Sequence, residues 1–426
     1  MPAQPLRLPR RPALPPGLTP AQLEAFAWIC LIVAVNQVGF GMIVPVISIY
    51  AEDFGVSETL IGVAVAIYGL ARFVVNVPAG RLADARGRKT LLVLGAVLTA
   101  AGNAVCALAP EYPVFLLGRF VSGAGAAMVL TAGQTVIADI STVANRGRPM
   151  AFYQGVFLFS VGLGPVFGGW LATRYGLAAP FAANAAISLV TTALGLWRLP
   201  ETRPSRGSGP PLPRMPLGGQ LALFRAIPGF WLVGAVSFAL FFARTGCLFQ
   251  IIPLDGEGRL GLSPGRIGLA IGMISVVGLL LAWPAGALSD RFGRKTVIVP
   301  AVLVYALSLL MFGAADGWPG FLLAAAVLAS SSGFGGSAPG AYAADIAPRE
   351  MMASALGAYR TIADSGYVVG PLLLGAVNQA AGARAAYWLT AALLAATALA
   401  FLRWAPETVE RGPPEGSSPD GQKTGQ

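Results

Sequence analysis

Long apolar runs separated by short polar turns make up most of the chain. Each run holds roughly 20 residues, the length that a helix needs to cross a hydrocarbon core about 30 Å thick. We predict twelve membrane-spanning helices, at residues 25–50, 59–81, 90–109, 113–138, 149–171, 178–199, 229–254, 265–287, 296–314, 319–344, 353–379 and 385–404. The pattern indicates an all-α polytopic membrane protein.

The polar turn Pro78–Lys89 occurs twice in the chain. Its sequence PAGRLADARGRK agrees at eight of twelve positions with PAGALSDRFGRK at Pro284–Lys295, 206 residues later. Two other pairs keep the same offset: Asp139-Ile140 with Asp345-Ile346, and Gly164-Pro165 with Gly370-Pro371. A motif that recurs at half the length of a chain predicts two similar halves, which here are two pseudo-symmetric bundles of six helices.

The longest polar connection falls between spans six and seven. It is rich in Pro and Gly, which is typical of a flexible linker. We therefore divide the chain into a disordered cytoplasmic N-terminal tail at 1–24, a first bundle at 25–199, a cytoplasmic linker at 200–228, a second bundle at 229–404 and a disordered cytoplasmic C-terminal tail at 405–426.

The composition supports a membrane protein and restricts its partners. Hydrophobic residues make up 55% of the chain and charged residues only 11%, which is too few charges for a soluble protein of this length. The net charge of +10 would suit nucleic-acid binding, but most of the 29 Lys and Arg residues fall on the loops of one side. That asymmetry is the positive-inside bias of cytoplasmic loops. We predict a monomeric, multi-pass protein in the lipid bilayer of the cell membrane, with both termini cytoplasmic and no nucleic-acid partner.

Several kinds of chemistry are excluded by missing residues. The chain has no His, and Cys30, Cys106 and Cys247 lie in apolar segments without a CxxC spacing, so we predict neither a metal site nor a disulfide framework. The segment Gly333-x-Gly335-x-x-Ala338 formally fits a dinucleotide fingerprint. Because no strand precedes it, we interpret its small residues as helix-packing positions and expect no cofactor. We predict that the chain is not an enzyme.

Only Asp364 of the 19 acidic residues lies deep in a predicted span. An unpaired carboxylate in a membrane is costly to bury, so it either takes up a proton or finds a partner. A proton-exchanging carboxylate is what a proton carrier requires. The alternative is a structural ion pair with Arg360, which lies four residues earlier on the same helical face.

Four arginines also lie within predicted spans: Arg72, Arg119, Arg244 and Arg360. Because an Arg side chain keeps its charge, each must face a partner, water or a substrate rather than lipid. Arg72 and Arg244 fall near mid-membrane, where they either line a cavity or pair with backbone carbonyls. Lining a cavity together, they would favour anionic or zwitterionic compounds.

Four other side chains are candidates for a substrate cavity: Asn36, Gln37, Tyr153 and Tyr359. The pairs Gly164-Pro165 and Gly370-Pro371 interrupt two predicted spans, because Pro removes a hydrogen-bond donor and crowds the preceding turn. These positions are either bends that take part in gating or sites of close helix packing.

Three segments fit known signatures. The first turn fits G-x-L-A-D-R-x-G-R-K except at Ala85, and the second copy keeps the usual Arg as Arg291. The matching residues are Gly80, Leu82, Ala83, Asp84, Gly87, Arg88 and Lys89 in the turn, Arg119, Gly123, Gly125 and Ala127 in span four, and Gly155, Gly164, Pro165, Gly168 and Gly169 in span five. With these motifs the chain resembles the major facilitator superfamily, and more narrowly its twelve-helix drug/proton antiporters.

The resemblance implies roles for charged residues. In similar proteins the turn Asp, the turn Arg and the Asp that ends span four form a charge cluster that holds one conformation. Carried over, this conformational latch comprises Asp84, Arg88 and Asp139, with a twin at Asp290, Arg294 and Asp345. The resemblance also implies that Arg119 takes part in proton coupling, together with Asp364 and Arg360. Many relatives that export cations carry an acid in span one, where this chain has Asn36 and Gln37, which argues against a cationic preference.

We predict a secondary active transporter that exports small amphiphilic molecules or drugs in exchange for protons. The two halves would rock around a midplane site, so the partners are a small-molecule substrate and protons. A proton-coupled uptake symporter for a small nutrient, such as a sugar or an organic acid, is the alternative on the same fold. A non-transporting membrane receptor is a further alternative, which the short tails disfavour.

Overall fold

The computed structural model of the protein describes residues 19–141, 147–202, 227–335, 338–347 and 352–408. The first half of the chain contains α1 (Pro20–Ile43), α2 (Ile47–Glu52), α3 (Glu58–Arg86), α4 (Arg88–Ala107), α5 (Tyr112–Ile140), α6 (Gly147–Tyr175) and α7 (Ala179–Arg198). The first span breaks into α1 and α2 at residues 44–46, where Pro45 cannot donate a helical hydrogen bond.

The second half repeats this order. It contains α8 (Pro228–Phe242), a π-helical segment (Ala243–Ile251), α9 (Ile252–Gly258), α10 (Pro264–Phe292), α11 (Arg294–Ala314), α12 (Trp318–Gly335), α13 (Ala338–Ile346) and α14 (Met352–Trp404). The π-helical segment, which has wider turns than an α-helix, was not predicted from the sequence. Both predicted tails and the predicted linker lie mostly outside the described residues, so their bounds stay predictions.

The predicted all-α membrane fold is confirmed. Eleven helical stretches of the described residues are long and apolar enough to span a membrane. The last of these, Ala355–Trp404, has 50 residues and is broken at Gly382, whose φ of +81° is not helical. It therefore supplies two spans, and the total is twelve. Large apolar side chains such as Leu280, Trp170 and Trp388 are exposed on the outside, as expected for a surface that faces lipid.

The two copies of the polar turn fold alike because each depends on a glycine. Gly87 ends α3 with φ +99°, and Gly293 ends α10 with φ +101°. Side chains with a Cβ rarely adopt such angles. Each glycine also precedes the first residue of the next helix, Arg88 or Arg294. The turn thus places a basic residue at the same corner of both halves, and we call this end of the molecule the basic end.

The opposite end, next to α2 and α9, is called the outer end, and there the two halves pack tightly. A Cβ at Gly62 on α3 would collide with the carbonyl of Pro371 on α14, and one at Gly375 would lie 2.6 Å from the carbonyl of Glu58. The halves also meet between α6 and α10, where a Cβ at Gly268 of α10 would collide with the carbonyl of Pro165 on α6. We call the α3–α14 and α6–α10 contacts the two seams. Glycines therefore let the backbones of the two halves touch.

Polar contacts complete the outer seam. The Thr59 hydroxyl donates to the Gln379 side chain over 2.6 Å, and the amide of Gly265 donates to the Thr173 hydroxyl over 2.9 Å. Toward the basic end, by contrast, Gly80, Gly155 and Gly357 have open space where a Cβ would stand. The close backbone contacts of Gly62, Gly268 and Gly375 between the halves thus lie toward the outer end.

Candidate substrate and coupling site

Four aromatic rings meet near the middle of the membrane. Phe40 of α1 stacks on Tyr68 of α3 with ring centroids 5.3 Å apart, and its centroid lies 6.3 Å from that of Phe249 in the π-helical segment. Phe249 in turn meets Tyr367 of α14 edge-on at 6.4 Å. We call these four residues the central aromatic cluster. Since two members come from each half, any relative movement of the halves changes it.

Three of the predicted intramembrane arginines lie against this cluster. The Cζ atom of Arg119 is 4.6 Å from the centre of the Tyr68 ring, that of Arg72 is 5.8 Å from the Tyr367 ring, and that of Arg244 is 6.0 Å from the Phe249 ring. Guanidinium groups at such distances are attracted to the ring faces. The structure thus gathers residues from three different helices that sequence reasoning had to treat separately.

These arginines have few protein acceptors. Arg119 is 2% exposed, and its Nε donates to the carbonyl of Ala64 over 3.3 Å, whereas its buried Nη1 has no acceptor among the described residues. The buried Nε of Arg72 has none either. Within the described part of the chain, neither of these arginines nor Arg244 forms an ion pair with a carboxylate. The alternative of a fully satisfied structural arginine therefore fits Arg119 and Arg72 poorly.

Arg244 differs from its neighbours in exposure. The residues before and after it in the π-helical segment are buried, but Arg244 itself is exposed. It belongs to the middle of its span, halfway between the start of α8 and the end of α9. A charged side chain at that depth needs water or a partner, and the contact found for Arg244 is with the Phe249 ring of the central aromatic cluster.

Asp364 and Arg360 approach each other on α14 as their spacing suggests. The Nε of Arg360 lies 3.6 Å from Oδ2 of Asp364, with side-chain exposures of 61% and 29%. That distance is longer than a hydrogen bond, and an exposed pair of this kind contributes little stability. The Asp364 carboxylate is therefore not locked in the structural ion pair that the sequence left open as an alternative.

Tyr367 connects the acidic and basic parts of the site. Its side chain interacts electrostatically with Arg72, Arg119, Arg244 and Asp364. From the sequence, Tyr367 is one of several aromatic residues that could line a cavity, with no indication of a central position. Its spacing from Asp364 and Arg360, three and seven residues along one helical face, was the available signal.

The other cavity candidates differ in their burial and in their hydrogen-bond partners. Asn36 and Gln37 are buried on α1, and Nδ2 of Asn36 has no acceptor among the described residues. The Tyr359 hydroxyl shares a 2.7 Å hydrogen bond with the Ser237 hydroxyl, between α14 and α8. Tyr153 is 1% exposed and packs among apolar residues inside the first half, next to Gly133. This burial places Tyr153 in the core rather than on an open surface.

The first charge cluster at the basic end is compact. Nε of Arg88 donates to Oδ2 of Asp139 over 2.8 Å, and its Nη1 donates to Oδ1 of Asp84 over 3.1 Å. The same Nη1 donates to the carbonyl of Ala83 over 2.8 Å. The three residues of the predicted latch are thus in direct contact.

The twin cluster in the second half follows the same plan. Nε of Arg294 donates to Oδ2 of Asp345 over 3.0 Å, and its Nη1 donates to the Ser289 hydroxyl over 3.1 Å. The side chain of Asp290, the third predicted member, lies outside the described part of the structure. All contacts named here for the two clusters stay within one half.

Two glutamates that the sequence analysis missed complete these clusters. Glu201 accepts from the backbone amides of Arg88 and Lys89 at 2.9 and 3.2 Å, and Glu407 accepts from those of Arg294 and Lys295 at the same distances. A carboxylate at a helix N-terminus is stabilised by the free amides and the helix dipole. The signal was available, because Pro-Glu-Thr occurs at 200–202 and again at 406–408.

The Gly-Pro pairs sit at the helix seams. α6 and α14 remain helical through Pro165 and Pro371, and the carbonyl oxygens of both prolines face glycines of the other half. Gly164 and Gly370 also approach backbone within their own halves, near Gly41 and Phe242. These contacts support the packing alternative, and a gating bend at these positions stays a prediction.

Comparisons with known proteins agree with this architecture. The inner membrane transport protein YajR of Escherichia coli K12 is 32% identical over 186 residues, which is 43% of this chain and 40% of YajR. The class C tetracycline resistance protein of Escherichia coli is 27% identical over 87% of this chain and 94% of its own length.

A solved structure shows the same fold. The inward-facing, occupied form of a bacterial homologue of the human lysosomal transporter Spinster superposes with a TM-score of 0.74 at 16% identity, covering 91% of this chain and 97% of that one. The sequence also matches the Major Facilitator Superfamily over residues 29–258 and 255–424. These matches extend over both halves of the repeat, and the chain is therefore an integral membrane transporter that belongs to the Major Facilitator Superfamily.

Proposed function

We propose that this transporter exports small amphiphilic molecules from the cytoplasm in exchange for protons. The observation that carries the proposal is the site around Tyr367, where aromatic and arginine side chains of both halves meet near the midplane, while the halves are tightly packed at the outer end. Such a site can be reached from one side at a time if the two halves rock against each other. This is the geometry that alternating access needs.

The distribution of basic loops and the similarity to a resistance protein both support export. The basic end carries the positive loops, which the positive-inside bias assigns to the cytoplasm. The conformation with space at that end would then load its site from the cytoplasm. The tetracycline resistance protein, which aligns over nearly its whole length, supports export over uptake.

The coupling step is assigned to Asp364. Its carboxylate is partly exposed and only loosely paired, so a proton can reach it from the space between the halves. Protonation removes the negative charge that faces Tyr367 and leaves the arginines around that ring unopposed. We infer that this change alters the preference between conformations, since a group that differs in charge between two states shifts their populations.

The test is drug uptake into inverted membrane vesicles with an acidic interior. Substrate entry driven by that gradient is expected for wild type and is expected to fall at least about tenfold for Asp364→Asn, which keeps the shape but cannot exchange a proton. Asp316→Asn is the matched control, because Asp316 is exposed in the turn between α11 and α12. If Asp364→Asn transports like wild type under the gradient, the assigned proton site is wrong.

The same experiment separates export from nutrient uptake. In inverted vesicles an exporter accumulates substrate when the interior is acidic, because protons leave as substrate enters. A symporter would instead release preloaded solute under that gradient. Accumulation of a sugar or an organic acid only when the exterior is acidic would replace the export proposal with symport.

A further inference from the structure

The midplane of the described structure carries an excess of positive charge. Arg72, Arg119 and Arg244 lie against the central aromatic cluster, and Arg360 lies about two helical turns from Tyr367 on α14. The negative charge that faces Tyr367 is that of Asp364, which is itself next to Arg360. An array of this kind in a membrane is costly unless water or an anion balances it.

Two hydrogen-bond donors without a protein acceptor also indicate a site for an anion. Arg119 is almost fully buried, yet its Nη1 has no acceptor among the described residues, and neither has the buried Nε of Arg72. A buried donor without an acceptor destabilises the protein by about 1–3 kcal/mol, more when it is charged. These groups are therefore placed to gain free energy when an acceptor enters the site.

The two more accessible arginines come from opposite halves. Arg72 is the central residue of α3 in the first half, and Arg244 lies in the π-helical segment of the second half. Arg72 lies 5.8 Å from the centre of the Tyr367 ring, and Arg244 lies 6.0 Å from the ring of Phe249, whose centroid is 6.4 Å from that of Tyr367. A single anionic group beside Tyr367 can therefore meet a guanidinium from each half, and such pairs are strong and often bidentate.

We propose that the central site selects amphiphiles that carry one anionic group, a carboxylate, sulfonate or phosphate ester, on an aromatic body. The anion lies between Arg72 and Arg244, and the body stacks on Phe40, Tyr68 and Phe249 of the central aromatic cluster. This proposal deepens the proposed function and rests on the site being a transport site. An anion held by both halves draws them together, which makes closure of the basic end dependent on substrate.

The first test is equilibrium binding to the purified full chain in detergent, without any gradient. The probes are three compounds with one ring system: naphthalene-2-sulfonate, the neutral naphthalene-2-sulfonamide and the cationic 2-naphthylmethylammonium. Isothermal titration calorimetry is expected to show that the sulfonate binds at least about tenfold more tightly than the other two, as an anion between two guanidiniums should. Equal or tighter binding of the cation would overturn the proposal.

The second test uses variants. Arg72→Gln and Arg244→Gln are each expected to weaken sulfonate binding about tenfold and to leave sulfonamide binding within about twofold. Arg384→Gln is the control, because Arg384 donates to the carbonyl of Gly313 in the second half, away from the cluster. Sulfonate binding that is unchanged in both Gln variants would refute the assigned subsite. If either variant fails to fold, the three-probe series on wild type still decides the charge preference.

The outcomes separate this inference from the proposed function. Tight, arginine-dependent sulfonate binding together with proton-independent transport would retain the anion site and reject proton coupling. Proton-driven export of cationic compounds with no measurable sulfonate binding would retain the exporter and reject the anion site.

Discussion

At the outer end, equivalent backbone carbonyls of the two halves accept hydrogen bonds from different kinds of side chain. Cys106 ends α4 and Phe312 lies near the end of α11, and they are separated by the repeat offset of 206 residues. In the first half the Tyr50 hydroxyl donates to the carbonyl of Cys106 over 3.2 Å. In the second half Nη2 of Arg259 donates to the carbonyl of Phe312 over 3.0 Å. A neutral phenol and a charged guanidinium thus hold equivalent positions.

The surroundings differ accordingly. Tyr50 packs against Phe115 and Phe181 with ring centroids 5.4 and 5.1 Å away. Arg259 instead forms two hydrogen bonds of 2.7 and 2.6 Å with Asp255, and Asp255 also accepts from the Tyr387 hydroxyl over 3.2 Å. The repeat thus preserves the backbone carbonyl that accepts a hydrogen bond at the outer end of each half. It does not preserve the side chain that donates it. The second half therefore depends on a buried ion pair where the first depends on aromatic packing.

The largest effect is expected from breaking that ion pair. Asp255→Asn leaves the charge of Arg259 without its carboxylate in a site where the Asp255 side chain is 4% exposed. Removing one partner of a buried pair costs about 3–5 kcal/mol, and we expect about 3 here because Arg259 reaches water. Thermal unfolding in detergent can be followed with a thiol-reactive dye, because Cys30, Cys106 and Cys247 are free and buried.

The control for this prediction removes both charges. The double variant Asp255→Leu with Arg259→Met is expected to cost less than Asp255→Asn, because it leaves no unpaired charge, although it also removes the donors to the carbonyls of Phe312 and Ala315. If Asp255→Asn unfolds within a degree of wild type, the ion pair does not hold the outer end of the second half.

The next largest loss of stability is expected at the charge clusters of the basic end, which differ in exposure between the halves. Side-chain exposure is 8% for Arg88 and 11% for Asp139, but 16% for Arg294 and 34% for Asp345. Solvent weakens the more exposed pair. Arg88→Gln is therefore expected to destabilise the protein by about 2 kcal/mol and Arg294→Gln by about 1 kcal/mol or less. The same dye assay measures both, and a larger loss for Arg294→Gln would reverse this ranking of the halves.

A smaller loss of stability is expected at Tyr50, at the outer end of the first half. Tyr50→Phe removes one hydroxyl and its hydrogen bond but keeps the ring contacts with Phe115 and Phe181. The expected loss is about 1 kcal/mol, the usual net contribution of a neutral hydrogen bond. A loss as large as that of Asp255→Asn would mean that the two outer ends depend equally on polar contacts. Phe54→Leu is a useful control, because it changes packing against Phe115 without touching a hydrogen bond.

The sequence predicted the elements but not which helix faces meet. Apolar runs and the repeated turn were enough for twelve spans in two halves, and the family resemblance brought Arg88 together with Asp139. The spans are apolar on most faces, so periodicity does not show which side chains point inward. For that reason the sequence does not distinguish Tyr367 from the other aromatic residues of the spans. The Asp255–Arg259 pair has the spacing of a helical ion pair, but the predicted end of span seven at residue 254 placed both members in the following loop.

The smallest expected effect concerns pH at the outer end, where carboxylates of both halves meet. Burial raises the pKa of Glu52 above its ordinary value of 4.5, and the charges of Glu58 and Asp53 raise it further. Burial also raises the pKa of Asp53, and Glu257 of the second half is repelled by Glu52 and Asp53. This repulsion opposes the closed outer seam at pH values above the raised pKa. It is lost as the pH falls through the raised pKa toward 4.5, so acid should favour closure.

Pulsed electron paramagnetic resonance can measure this closure between spin labels at Leu108→Cys and Ala380→Cys, two exposed positions near the outer end of different halves. Acidification is expected to enrich the short distance in wild type and to do so less in Glu52→Gln, where one repulsive charge is absent at every pH. Glu111→Gln is the matched control, an exposed carboxylate at the start of α5. A pH response that is identical in Glu52→Gln and wild type would mean that these carboxylates do not couple the two outer ends. The two halves would then be held independently of these carboxylates, joined at this end by the glycine contacts and hydrogen bonds described above.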